Sequence, residues 1–232
     1  MSPRNLARIA AVIGGLEGTA WIRGQMRIPA QLVVSTNATD TAANILSNES
    51  LFRLGLLLGF LAVAFNIGRM GLFYVLFRPA GRTAALVMAF FAILAVGLQA
   101  ASLLFQVPIL LILKNGSDFG ALNAQQLQSL ALIFLRWSGQ ASNVYLAFFG
   151  LWCVLVGYLI YKATFLPRIL GILMALAGLG YATYLWPPLA NYLYPYNLAL
   201  GVGELALWLW LLILGVNPER WKEQANATST AS

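Results

Sequence analysis

Histidine is absent from the 232-residue chain, and cysteine occurs once, at Cys153. The first absence removes His-ligated haem, zinc and di-iron sites with histidine ligands, and any triad built on a histidine base. The second removes an internal disulfide, because a single thiol has no partner. Charge is also scarce. Asp, Glu, Lys and Arg together make up 9% of residues, against about 25% in a typical soluble domain. A chain this poor in charge and 60% hydrophobic has too little polar surface to stay dispersed in water. Its mean hydropathy of +0.78 makes the bilayer the natural solvent. The net charge of +7 does not point to nucleic acid, since the basic residues gather at the ends of apolar runs and form no patch. The opening "MSPRNLARIAAVIGG" has a basic start without a small-residue cleavage site, so it reads as a retained helix.

What is present is a series of long apolar runs. A helix needs about 20 residues to cross a hydrocarbon core. Six runs reach or approach that length: 6–28, 51–77, 82–113, 132–161, 166–186 and 196–216. The expected fold is all-α, an integral membrane bundle of six transmembrane helices forming one domain over 1–232. Residues 217–232 are expected to be a flexible cytoplasmic tail. The first run is the least apolar and contains Glu17, Arg23 and Arg27. The third is over-long, and Pro108 is placed to kink or end it. Polar "ALNAQQLQS" before the fourth reads as an interfacial helical turn. The polar stretch 40–50 reads as the end of an outer loop, with Ser47, Asn48 or Ser50 able to cap the second helix. Joints such as "RPAGR", "KNGSDFG", "KATFLPR" and "WPPLANYLYPYN" carry turn chemistry. No internal repeat or broken-helix signal is evident.

Charge bias sets an orientation. One side holds Arg4, Arg8, Arg78, Arg82, Lys162, Arg168, Arg220 and Lys222. The loops of the other side hold Lys114 with Asp40, Glu49 and Asp118. Eight basic residues against one is a positive-inside pattern, placing both termini in the cytoplasm. Trp186, Tyr192, Tyr194, Tyr196 and Trp221 fit interfacial belts.

An ionised side chain within a bilayer needs a reason to be there. Glu17, Arg69 and Glu204 lie well inside runs, and Arg23 and Arg136 lie nearer the outer surface. Helical spacing gathers them with other polar residues into stripes. These are Gly59-Ala62-Asn66-Arg69, Gln99-Ser102-Gln106, Arg136-Gln140-Asn143 and Asn197-Gly201-Glu204. Polar stripes avoid lipid and are expected to face the bundle interior. Glu17 and Arg23 lie about 120° apart on one helix, so Glu17 needs a partner elsewhere or a proton. Arg53 or Arg136 could serve it in the outer half and Arg69 in the inner half, and Glu204 has the same choice. Gly171, Ala175 and Gly178 form a small-residue contact face.

The segments "TAANILSNESLFRLGL" (41–56), "GLWCVLVGYLIYKATFLPRILGILMALAGLGY" (150–181) and "GELALWLWLLILGV" (203–216) resemble the bacterial membrane family called domain of unknown function 4386. The resemblance implies a multi-spanning helical protein of the bacterial inner membrane. It supplies no activity, substrate or catalytic residue.

Two readings of the polar stripes stand side by side. In one they are interhelical glue. In the other, Glu17, Arg23, Arg69, Gln99, Arg136, Gln140, Asn143 and Glu204 line a polar core for a small anionic or amphipathic ligand or a lipid. Catalysis ranks below both, because two carboxylates at membrane depth on different helices make no metal or acid–base set. No catalytic residue, metal or cofactor is expected. The expected partners are membrane lipids, a small-molecule ligand, and a membrane-protein partner or second copy of the chain. A structural or regulatory subunit is the alternative function, and transport a third.

Overall fold

Of the nine prolines in the chain, only Pro29 lies inside a continuous helix; the others start, end or interrupt one. Leu, Ala, Met and Phe fill the lengths between, so helix is the favoured state there. The computed structural model describes residues 1–115, 120 and 122–230, the side chains of 229 and 230 excepted. Asp118 and most of the breaker stretch around it lie outside the described residues.

Every described element is helical. The chain begins with α1 (Pro3–Trp21), a π-turn (Ile22–Arg27) and α2 (Ile28–Leu32), which form one unbroken run. Then come α3 (Ala38–Ser47), α4 (Glu49–Phe77), a 3-10 turn (Arg78–Ala80), α5 (Arg82–Leu104) and α6 (Ile109–Lys114). α7 (Ala124–Lys162), α8 (Arg168–Ala182), α9 (Pro187–Leu193), α10 (Tyr196–Ala199), α11 (Val202–Ile213) and α12 (Pro218–Thr230) complete it.

Among the described residues, five stretches are long and apolar enough to cross a membrane: Glu49–Ala80, Arg82–Lys114, Ala124–Lys162, Arg168–Leu185 and Tyr196–Ile213. The run 3–32 is not among them, because Arg4, Arg8, Glu17, Arg23 and Arg27 dilute it. Burial is inverted relative to a soluble protein. On α5, Phe90 is 68% and Ile93 70% exposed, while Gln99 and Ser102 are fully buried. Lipid explains that inversion and water does not. The chain is a multi-pass membrane protein.

Two compact units make up the chain. The first comprises Met1–Gly15, Phe65–Val96 and Asn143–Ser232. Within it α7 and α8 touch backbone to backbone. A Cβ on Gly157 would lie 2.5 Å from the Gly171 carbonyl, and one on Gly150 the same distance from that of Gly178. The small-residue face of α8 is therefore used inside this unit. Phe73, Trp152 and Phe149 stack in its core, with successive ring centroids 5.5 and 5.3 Å apart. The expected flexible tail is instead α12. Its Trp221 indole donates to the Leu76 carbonyl and its Thr228 hydroxyl to that of Pro79, both at 2.9 Å.

The second unit comprises Leu16–Ala64 and Gly97–Ser142. Its core joins Ile28, Leu32, Ile45, Phe52, Ile109 and Ile112. Residues 40–47, expected as loop, belong to α3. The Asn37 side chain caps that helix by accepting from the Thr39 and Asp40 N–H groups. Ser47 and Asn48 are spent on α3 itself, donating to the Ala43 and Asn44 carbonyls, so neither caps α4. "AQQLQS" is not a separate turn but the start of α7. Two spans are interrupted, the third where Pro108 was expected to break it and the sixth against expectation. The third breaks at 105–108, where Pro108 cannot donate a helical N–H, and the sixth breaks at Leu200–Gly201.

Candidate functional site

The first unit is organised around Arg69, in α4 and only 5% exposed. Its Nη1 lies 3.2 Å from Oε1 of Glu204 in α11. Its Nη2 donates to Oδ1 of Asn66 at 3.0 Å. The guanidinium also faces the rings of Phe149 and Trp152 in α7, 5.4 and 5.1 Å from their centroids. Glu204 stands on the first turn of α11, directly after the break, where unpaired N–H groups and the helix dipole favour a carboxylate. Its other oxygen accepts from the Tyr181 hydroxyl of α8 at 3.2 Å. One turn further, Trp208 donates its indole N–H to the Ala11 carbonyl of α1. Gly14 and Gly15 make room for these groups. A Cβ on Gly15 would lie 2.8 Å from the Trp208 ring, and one on Gly14 3.0 Å from Arg69 Cδ. Side chains from α4, α7, α8 and α11 thus meet at one charge pair, with α1 packed against it.

The second unit carries a neutral cluster. Pro29 has no N–H for the Gln25 carbonyl, so the helix widens just before it. The Ile28 N–H reaches back five residues to the Arg23 carbonyl. Gln25, inside that π-turn, donates to the Gly55 carbonyl of α4 at 3.0 Å. It accepts from Gln106 Nε2 at 2.7 Å, and Gln106 also donates to Ser138 Oγ of α7 at 2.8 Å. Gln106 lies in the break between α5 and α6. The close approach of the π-turn to α4 needs Gly24, where a Cβ would sit 2.8 Å from the Gly55 carbonyl. Among the described residues, no three His, Cys, Asp or Glu side chains group as a metal site.

A family model described as domain of unknown function (DUF4386) matches residues 8–215. The chain belongs to that family. No curated protein and no solved structure matches it. Both polar clusters of this DUF4386 protein lie inside the matched region, and α12 lies beyond it.

Of the eight residues read as site candidates, the structure brings Arg69 and Glu204 into direct contact. Glu17, 7% exposed, and Gln99, fully buried, lie in the second unit. Asn143 is half-buried, while Arg23, Arg136 and Gln140 are exposed. The inward stripe expected on the fourth span is therefore corrected. Leu127, Ala131, Tyr145, Phe149 and Trp152 define the buried face of α7, and Ser138 falls on it. Arg136 is two residues from Ser138, which turns it about 160° away. Arg136 instead donates to the Ser35 carbonyl at 2.8 Å. Arg53 pairs with Glu49 one turn before it at 2.7 Å, and Lys114 with the same carboxylate at 2.9 Å.

The residues missed by sequence were Gln25, Ser138, Tyr181 and Trp208. Pro29, four residues after Gln25, was the signal for the π-turn. Trp208 lies four residues after Glu204 and shared its stripe. Tyr181 carried no signal of its own.

Proposed function

We propose that this DUF4386 protein crosses a bacterial inner membrane six times, with both termini cytoplasmic. We further propose that it serves, without enzymatic chemistry, as a structural or regulatory subunit of a membrane complex. The run 3–32 supports the sixth crossing, since 30 helical residues extend about 45 Å. An even count also agrees with the basic bias.

The observation that carries the subunit reading is the contact of Arg69 with Glu204. That guanidinium already has a carboxylate, an amide oxygen and two ring faces, so it offers little to an incoming anion. The charges of the first unit act as interhelical glue, and function passes to the lateral surface. There, Gly97 and Gly139 are open: a Cβ added at either meets nothing within 4 Å. These are places where a partner helix or second copy can approach closely. Purification in a gentle detergent is expected to recover a stoichiometric partner or an oligomer. Gly97→Leu should reduce that recovery without lowering the melting temperature. A lone monomer from the wild type overturns the reading.

Transport of a small polar solute is a second reading, favoured by the breaks at 105–108 and Leu200–Gly201. Irregular backbone at membrane depth is tolerated where it is buried or lines a water-filled path. In a Cys153→Ala background, Ser138→Cys would be labelled by a membrane-impermeant maleimide if water reaches the Gln25–Gln106 cluster. Absence of labelling removes this reading.

A further inference from the structure

Neither reading uses the groove between α12 and the 3-10 turn that follows α4. It encloses about 260 Å³ and is lined by Tyr74, Arg78, Pro79, Arg82, Trp221 and Thr228, among others. That is a little below the roughly 300–1,000 Å³ of ordinary ligand pockets. Its walls are fixed, because Trp221 and Thr228 are hydrogen-bonded to the carbonyls of Leu76 and Pro79.

The two arginines distinguish it. Both side chains are exposed, and among the described residues neither guanidinium has a hydrogen bond or an ion pair. A neighbouring groove of about 420 Å³ also holds two arginines, Arg4 and Arg220. Those are spent on the carbonyls of Leu214 and Thr164. Helix stability does not account for Arg82 either. It is the first residue of α5, where the dipole disfavours a cation. The remaining walls are aromatic and apolar, and Val75 beside them is half exposed on the outer face of α4.

We propose that this groove binds an anionic glycerophospholipid. Arg78 and Arg82 hold the phosphate oxygens through paired N–H donors. Trp221 and Tyr74 cover the glycerol backbone at the interface, and the acyl chains run along the Val75 face of α4. The inference rests on the chain spanning a membrane and is independent of the subunit reading.

The test is thermal unfolding of the full chain in mild detergent, titrated with phosphatidylglycerol, phosphatidylcholine or inorganic phosphate. Phosphatidylglycerol should stabilise the wild type, while phosphatidylcholine and inorganic phosphate should not. Arg78→Gln/Arg82→Gln should weaken the apparent phosphatidylglycerol affinity about thirtyfold, the loss of two charge-assisted contacts to the phosphate. Arg168→Gln/Lys222→Gln removes the same charge from the same end of the bundle and should leave the affinity unchanged. Should the first double variant fail to fold, Arg82→Gln alone relieves an unfavourable dipole contact and should still cost about fivefold. Equal stabilisation by phosphatidylcholine, an unchanged Arg82→Gln variant, or an equal loss in the control pair overturns the proposal. Stabilisation by inorganic phosphate alone also overturns it, since the groove would then be a free-anion site.

Discussion

Replacing the two members of the Arg69–Glu204 pair, singly and together, separates glue from ligand site. With charge centres about 4 Å apart and an effective dielectric of about 20, their attraction is about 4 kcal/mol. Removing one partner strands the other, and the cost depends on where it is left. Arg69 keeps a side-chain exposure of 6%, against 29% for Glu204. The stranded arginine is therefore the worse outcome, and Glu204→Gln should cost about 3 kcal/mol. Arg69→Met leaves a carboxylate that is 29% exposed and can hydrate, and should cost about 2 kcal/mol. In Arg69→Met/Glu204→Leu both charges are gone and most of the volume is kept. That variant should fall within about 1 kcal/mol of the wild type. Reversible unfolding by SDS from mild-detergent micelles, followed by far-UV circular dichroism, measures all three against the parent. The single losses sum to about 5 kcal/mol, so non-additivity of at least about 4 kcal/mol is expected. Additive losses, or Arg69→Met costing more than Glu204→Gln, would refute the idea that the two charges exist for one another.

Gly157→Leu drives a side chain into the Gly171 backbone. It should destabilise the fold by about 3 kcal/mol or more, read as a lower melting temperature in detergent. Gln106→Leu leaves Gln25 and Ser138 without their shared donor and should cost about 1–2 kcal/mol in the same assay. Glu49→Gln breaks both of its ion pairs, yet the carboxylate is at the surface, so the melting temperature should not move. Trp221→Leu releases the anchor of α12 and should speed limited proteolysis within that helix about tenfold, the equivalent of one lost hydrogen bond.

The long spans were legible in the sequence because twenty apolar residues admit one solution in lipid. The positions of Arg69 and Glu204 were legible too, since helical spacing put each in a stripe of small and polar neighbours. Spacing failed at α7. There the stripe 136–140–143 was real as a pattern, but larger apolar groups at Leu127, Tyr145, Phe149 and Trp152 competed for the buried face and won. It failed again at α3, whose polar residues read as loop. Asn37 caps that helix, and Ile45 buries one side of it against the apolar core, so ten residues with Ile45 and Leu46 as their large apolar members still fold. α12 was read as tail because it is hydrophilic. Only its Trp221 and Thr228 contacts, which depend on tertiary placement, reveal it as docked.

The π-turn at Ile22–Arg27 has an evolutionary consequence. Such a turn holds one residue more than an α-turn and so stores a register offset inside an otherwise regular rod. Deleting one residue there would restore an ordinary helical repeat. If the turn instead stayed wide, the deletion would swing Glu17 by about 100° relative to the Gly24–Gly55 contact. Pro29 guards against that repair, because its missing N–H keeps the widened turn favourable whatever the neighbouring residues become. The segment therefore tolerates substitution far better than a change of length, and a single-codon deletion should be more damaging than any point change at Ile22 or Met26.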